Sequence, residues 1–205
     1  MNGTQYSLTF TNYSNMYGNV CVYQKFPEVD SNSAILAWLV KPTHPTTIVT
    51  FTWTTDYGFI WAETGRLAPG VVFNASQVWP ADLTQNNKVT LSFLQEAFTF
   101  QNLTKGDTPG ALEIVQDATI PPERASIGIA MAGAGIFAMQ AKPNMSIFIQ
   151  PPMPEYWIAF GNYQPGQVLD ITQINNQQKL EFGPGVYSLS ATLYKNNSWD
   201  IEQNG

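Results

Sequence analysis

Charge is what this chain has least of. Nine of its 205 residues are Lys or Arg and 15 are Asp or Glu, a charged share of 12%, about half the usual ~25%. No basic stripe is available to displace phosphate counterions, and the net charge is −6, so nucleic acid is excluded as a partner. There is one histidine, His44, in "KPTHPTT". A Ser–His–Asp triad would have to use it, yet no GxSxG elbow occurs. HExxH and GxxxxGK[ST] motifs are missing too, and "GAGIFA" (133–138) lacks the strand–helix setting of a dinucleotide fingerprint. "EVDSNSA" (28–34) offers Asp30 and Asn32 but no EF-hand Gly or terminal Glu in register. An enzyme is therefore not expected, and neither is a metal or any other cofactor.

Long apolar runs are also missing. The longest weakly polar stretch, "ASIGIAMAGAGIFAMQA" (125–141), is short and rich in Gly and Ala, so no transmembrane segment is expected. "MNGTQYSLTF" has neither the basic nor the apolar region of a signal peptide. The default expectation is a cytoplasmic protein; a secreted, vacuolar or periplasmic one would need a targeting segment missing from this sequence. Cys21 is the only cysteine, which rules out an intrachain disulfide and a CxxC site. Alternation in "GNVCVYQKF" (18–26) puts Cys21 and Tyr23 on one strand face and Val20 and Val22 on the other. A buried, inert thiol is the default. The alternative is an exposed thiol that links two protomers through an intermolecular disulfide.

Neutral polar residues take the place of charge: Asn, Gln, Ser and Thr together number 61. A surface poor in long cationic side chains loses little rotamer entropy when an interface immobilises it. That favours packing against other protein molecules, although like-charged protomers still repel at long range. Asn-x-Ser/Thr sequons stand at Asn2, Asn12, Asn74, Asn102, Asn144 and Asn196, and they read as a by-product of this composition.

Period-two alternation dominates the chain. Tyr6, Leu8 and Phe10 share a face, as do Val89, Leu91 and Phe93, then Ile127, Ile129 and Met131, then Tyr187, Leu189, Ala191 and Leu193. "AILAWLV" (34–40) and "YWIAF" (156–160) read as strands buried on both faces. "VTLSFLQEAF" (89–98) fits a short helix or a strand. Gly, Pro and Asn punctuate these runs every eight to twelve residues, as in "DYG", "KGDTPG", "QPPMP", "FGPG" and "KNNS". The expectation is one all-β domain over 1–205, an antiparallel two-sheet β-sandwich or jelly-roll-like fold with little helix. Gly133-Ala134-Gly135 reads as a hairpin connection, and Gly128, Ala130 and Ala132 leave a face open to close approach.

"FTWTTDYGFIWAETG" (51–65) looks most like chemistry. As a hairpin turning at Asp56-Tyr57-Gly58 it buries Phe51, Trp53, Phe59 and Trp61 in a core, each ring worth roughly 2–3 kcal/mol. Asp56 and Glu63 fall at opposite ends of a strand about 20 Å long, too far apart for the ~5–9.5 Å of a glycosidase carboxylate pair. A sugar-stacking role for Tyr57 or Trp61, beside Asp56 and Glu63, is the candidate ligand site that survives.

The segments Val22-Tyr23-Gln24, Ala37 to Trp53 ("AWLVKPTHPTTIVTFTW") and Asp56 to Gly65 ("DYGFIWAETG") resemble a bacterial family named after the rhizosphere-expressed protein of rhizobia. "EYWIAFGNYQPGQVLDIT" (155–172) is similar as well, which extends the likeness over most of the chain. The resemblance implies no activity, cofactor or catalytic residue, and it fits a secreted or surface-associated β protein. The leading expectation is a non-enzymatic structural protein that works by self-assembly as a homo-oligomer, with Cys21 as its interface or redox residue. The alternative is a lectin-like module whose partner is a glycan.

Overall fold

The structure, a computed structural model, describes residues 3–25, 33–150 and 155–204. Asp30 and Asn32, the Asn2 sequon and the prolines of "QPPMP" fall outside them. Among the described residues there are 17 strands and no helix. They are β1 (Gln5–Tyr13), β2 (Gly18–Lys25), β3 (Ser33–Ile35), β4 (Leu39–Thr43), β5 (Ile48–Thr54) and β6 (Tyr57–Ala62). Then come β7 (Gln77–Ala81), β8 (Lys88–Leu94), β9 (Ala97–Thr104), β10 (Leu112–Gln116), β11 (Ser126–Met131) and β12 (Ala134–Gln140). The last are β13 (Met145–Ile149), β14 (Glu155–Gly161), β15 (Gln177–Leu180), β16 (Ser188–Tyr194) and β17 (Trp199–Asn204).

The all-β, sandwich-like class stands, with the strands distributed over four sheets. Sheet I has the order β17-β16-β1-β5 and sheet II the order β15-β14-β2-β4. Sheet III runs β3-β12-β11-β6-β7, and sheet IV runs β13-β10-β8-β9. Sheet I faces sheet II, with Phe10 against Phe160 at 6.4 Å and Trp53 against Tyr156 at 5.2 Å. Sheet III faces sheet IV, with Trp61 against Phe98 at 5.7 Å and Phe59 against Phe100 at 6.4 Å. One buried cluster draws on all four sheets, from Leu8 and Val22 to Ile129 and Ile114. Among the described residues two pairings are parallel, β1 with β16 and β8 with β10. Alternation reports which face a residue takes and not which way its neighbour runs, so these were invisible in the sequence.

The aromatic run at 51–65 is not a hairpin. β5 pairs with β1 in sheet I while β6 pairs with β11 and β7 in sheet III, so Thr55-Asp56 arches from one sheet to another. Gly3 N–H donates to Asp56 Oδ1 at 2.8 Å and Ala132 N–H to the Asp56 carbonyl at 2.9 Å, fixing the crossing. "AILAWLV" likewise divides: it leaves sheet III at Ile35 and enters sheet II at Leu39. The 89–98 segment is a strand hairpin, β8–β9, whose turn places Gln95 and Glu96 at φ 50° and 62°, the geometry of a type I′ turn. The β11–β12 turn falls at Ala132-Gly133, with φ 48° and 78°, one residue before the expected connection.

The outer faces of two sheets are covered by irregular chain. Phe73 and Val168 lie over Ala130, Ala138 and Ile60 of sheet III. Leu169 and Ile174 lie over Cys21, Tyr23 and Ala159 of sheet II. The small face of β11 thus serves interior packing. A Cβ on Gly128 would stand 2.0 Å from the Phe137 carbonyl oxygen on the neighbouring strand. The outward face of sheet I, by contrast, carries hydroxyls: Ser7, Thr9 and Thr11 on β1, Thr50 and Thr52 on β5, Ser188, Ser190 and Thr192 on β16. It is partly to fully exposed.

Candidate functional site

None of the six tryptophans is exposed. Trp61 retains 6% exposure, and its Nε1 donates to Gln77 Oε1 at 2.9 Å. It has no face to offer a sugar. Tyr57 is half-buried, and desolvation holds its phenol pKa above the ordinary value. Asp56 and Glu63 are exposed at the two ends of β6. A strand of that length is roughly 20 Å long, so the two acids form no pair. The structure therefore does not bring Tyr57, Trp61, Asp56 and Glu63 together as a ligand site. Cys21 is fully buried, and its Sγ lies 3.7 Å from the Val22 carbonyl as a weak donor. Burial pushes its pKa far up, which suppresses the reactive thiolate. An intermolecular disulfide through Cys21 is incompatible with this fold.

Three of the exposed rings gather elsewhere. Tyr13 is 50% exposed, Tyr17 64% and Tyr194 40%. The cause lies in register. Because β1 and β16 run parallel, Thr11 pairs with Thr192 and Tyr13 with Tyr194. Period two keeps both tyrosines on the hydroxyl face of sheet I. Their ring centroids stand 6.4 Å apart at an interplanar angle of 31°. Beside them lies a groove of about 800 Å³, walled by Asn15, Pro45, Thr46, Asn196 and Lys195. That volume lies in the range of small-ligand sites, about 300–1,000 Å³.

Each wall is fixed from below. Asn12, the residue before Tyr13, is fully buried. Its Nδ2 donates to the Met16 carbonyl at 3.0 Å and to Thr43 Oγ1 at 3.3 Å. Its Oδ1 accepts from Ser14 N–H at 3.0 Å and Ser14 Oγ at 2.6 Å. One amide thus shapes the whole turn between β1 and β2, and this Asn of the sequon set is closed to glycosylation in the folded chain. On the opposite wall, Asn196 Oδ1 accepts from Ser198 N–H at 3.1 Å and Ser198 Oγ at 2.7 Å. Its amide nitrogen remains the group able to donate to a ligand.

Thr46 supplies a third fixed point. It sits at φ 69°, a left-handed conformation that a β-branched residue adopts only under constraint. Its N–H donates to the Asn12 carbonyl at 2.6 Å, and the Asn12 N–H donates to the Thr47 carbonyl at 3.0 Å. The β4–β5 turn is therefore locked to the same asparagine. Backbone strain held by its surroundings concentrates at ligand clamps and other functional positions.

Sequence reasoning missed Tyr13, Tyr194, Asn15, Thr46 and Asn196. Their signal was present in "TNYSNMYGN" (11–19) and "YKNNS" (194–198). In each, a tyrosine ends the outward-facing series of an alternating strand and meets an Asn-rich turn. That these two strand ends lie side by side could not be read locally.

Comparison with known proteins gives the following. The family described as RhiA matches residues 3–204. The chain is 38% identical over 202 residues to Protein RhiA of Rhizobium leguminosarum bv. viciae, covering 97% of this chain and 87% of that protein. No solved structure matches it.

Proposed function

The chain belongs to the RhiA family, and from the geometry of its exposed end we propose that it is a non-catalytic binding module for neutral carbohydrate. The carrying observation is the Tyr13–Tyr194 pair, held in register and exposed beside a preformed groove. Tyrosine rings present an apolar face with a polar tip, which suits the C–H face of a sugar ring. Asn15, Asn196 and Thr46 supply the amide and hydroxyl groups that hydrogen-bond sugar hydroxyls. No carboxylate is among the described residues lining the groove, and Lys195 is its one formal charge. No acid–base pair is available there for glycosidic cleavage, and this supports binding without hydrolysis.

The test is calorimetric titration with a panel of neutral mono- and oligosaccharides. Wild type should bind at least one of them with micromolar to millimolar affinity, and Tyr13→Ala and Tyr194→Ala should each weaken binding by about tenfold, the order of one aromatic contact. Tyr187→Ala removes another exposed tyrosine, one that is not part of the groove, and should leave binding unchanged. A panel with no binder, or a tyrosine pair whose removal changes nothing, refutes the reading.

Self-association is the second reading. Its disulfide route is closed by the burial of Cys21, and it now rests on the open face of sheet I. The outward positions of β1, β5 and β16 from Ser7, Ile48 and Ser188 onward carry no charged side chain, and Asp200 and Glu202 on the edge strand β17 are the charges that share this face. Ser and Thr lose little rotamer freedom on docking. Light scattering across a concentration series checks it: a strict monomer at high concentration removes it.

A further inference from the structure

A second groove of about 610 Å³ lies on the other side of the turn that carries Tyr13. It is walled by Tyr17, Asn19, Phe160, Asn162, Asn176 and Asn197. The two grooves share both of their walls. The β1–β2 turn gives Asn15 to the first and Tyr17 to the second, and the β16–β17 turn gives Asn196 to the first and Asn197 to the second. We propose that these are consecutive subsites for a single linear, uncharged oligosaccharide that crosses the turn from the Tyr13–Tyr194 pair to Tyr17. This rests on the carbohydrate reading of the first groove and adds that the ligand is a chain.

Three observations carry it. First, Tyr17 is 64% exposed, yet its ring is braced by the His44 imidazole at 4.6 Å and 38°. A ring that is both presented and held binds with little ordering cost. Second, the amides of this groove are half used by the protein. Asn19 Nδ2 donates to the Tyr163 carbonyl at 2.7 Å, and Asn176 Oδ1 accepts from Trp199 Nε1 at 2.6 Å. Each is oriented by one bond and keeps its other polar atom for a hydroxyl. Third, the charges match a neutral partner. Among the described residues none lining the second groove carries a formal charge, and Lys195 is alone in the first. A cationic chain would find no counter-charge along this path, and an anionic one only Lys195 at one end.

Gly18 makes the floor possible. A Cβ there would stand 2.8 Å from Phe160 Cζ, so only glycine lets that ring close the bottom of the groove.

The experiment is calorimetric titration of wild type, Tyr13→Ala and Tyr17→Ala with cello-, malto- and manno-oligosaccharides from monosaccharide to hexasaccharide. In the series that binds, wild-type affinity should climb by about tenfold between mono- and tetrasaccharide, the order of one added aromatic contact. Tyr17→Ala should flatten that climb while leaving monosaccharide affinity within about twofold. Asn162→Ala, at an exposed groove position, should reduce the climb in the same sense and covers the case that Tyr17→Ala folds poorly. Affinity independent of chain length, with Tyr13→Ala still weakening binding by about tenfold, overturns the second subsite and leaves the first groove standing. Absence of binding at every length in wild type overturns both.

Discussion

Replacing Asn12 by alanine tests how the exposed end is held. The wild-type side chain makes four hydrogen bonds, to the Met16 carbonyl, Thr43 Oγ1, Ser14 N–H and Ser14 Oγ. A typical intramolecular hydrogen bond contributes ~0.5–1.5 kcal/mol net, and a buried group left without a partner costs more. Met16 is exposed and can recover water, whereas Ser14 and Thr43 are buried. The balance is a loss of about 3 kcal/mol. For a chain of this size each kcal/mol moves Tm by ~2–4 °C, so Asn12→Ala should lower Tm by about 6–12 °C in a reversible circular-dichroism melt. Asn15→Ala, in the same turn but exposed, should leave Tm unchanged. The variant should also lose carbohydrate affinity, because Tyr13 and Tyr17 flank the turn that this side-chain amide holds. A Tm within about 2 °C of wild type would refute the claim that one buried asparagine organises the turn.

Four further outcomes are expected. Thr46→Gly relieves a left-handed β-branched residue, worth ~1–2 kcal/mol against a glycine entropy penalty of ~0.5–1 kcal/mol; Tm should rise by up to about 6 °C, and a fall contradicts the strain. Gly128→Ala forces a Cβ to 2.0 Å from the Phe137 carbonyl oxygen and should cost more than about 4 kcal/mol, seen as insoluble expression or a collapsed Tm; near-wild-type stability would contradict the strand contact. Acid should unfold the chain through carboxylates held below their usual range. In Asp117, burial pushes upward but is outweighed by the Ser92 and Thr119 hydroxyls and the Thr119 N–H; in Asp56 the Thr54 hydroxyl and the Gly3 N–H act. Both contributions are present above the unfolded value near ~3.9 and vanish as pH falls through the lower folded values, so Asp117→Asn should destabilise at neutral pH and progressively less as pH falls below ~3.9, a cost that does not shrink counting against it. Cys21 should resist thiol reagents in the native protein and react fully in denaturant; fast native labelling would contradict its burial.

The sequence made side-chain direction legible. Leu8 and Phe10, Val89 and Leu91, Ile127 and Ile129 all point into the core where alternation put them, and Phe51, Trp53, Phe59 and Trp61 are buried as their crowding suggested. Partnership was not legible. Phe51 and Phe59 enter the core from different sheets, because what looks like a turn at Asp56 is an arch stabilised by Gly3 and Ala132, residues remote in sequence. The site was hidden for the same reason. Tyr13 and Tyr194 become neighbours only through a parallel pairing of strands near opposite ends of the chain. The eye-catching aromatics were core, and the rings of the proposed site stood singly at strand ends. Cys21 illustrates the converse: of the two readings its strand allowed, a buried thiol or an exposed one linking protomers, burial is what the structure shows.

The most direct test is to map where a neutral oligosaccharide touches the protein, by following backbone amide and tyrosine ring signals in nuclear magnetic resonance titrations. Shifts confined to Tyr13, Asn15, Thr46, Tyr194 and Asn196, spreading to Tyr17 and Asn162 for longer chains, are the predicted result. Shifts centred on Tyr57 and Trp61, or none with any neutral glycan, would contradict it.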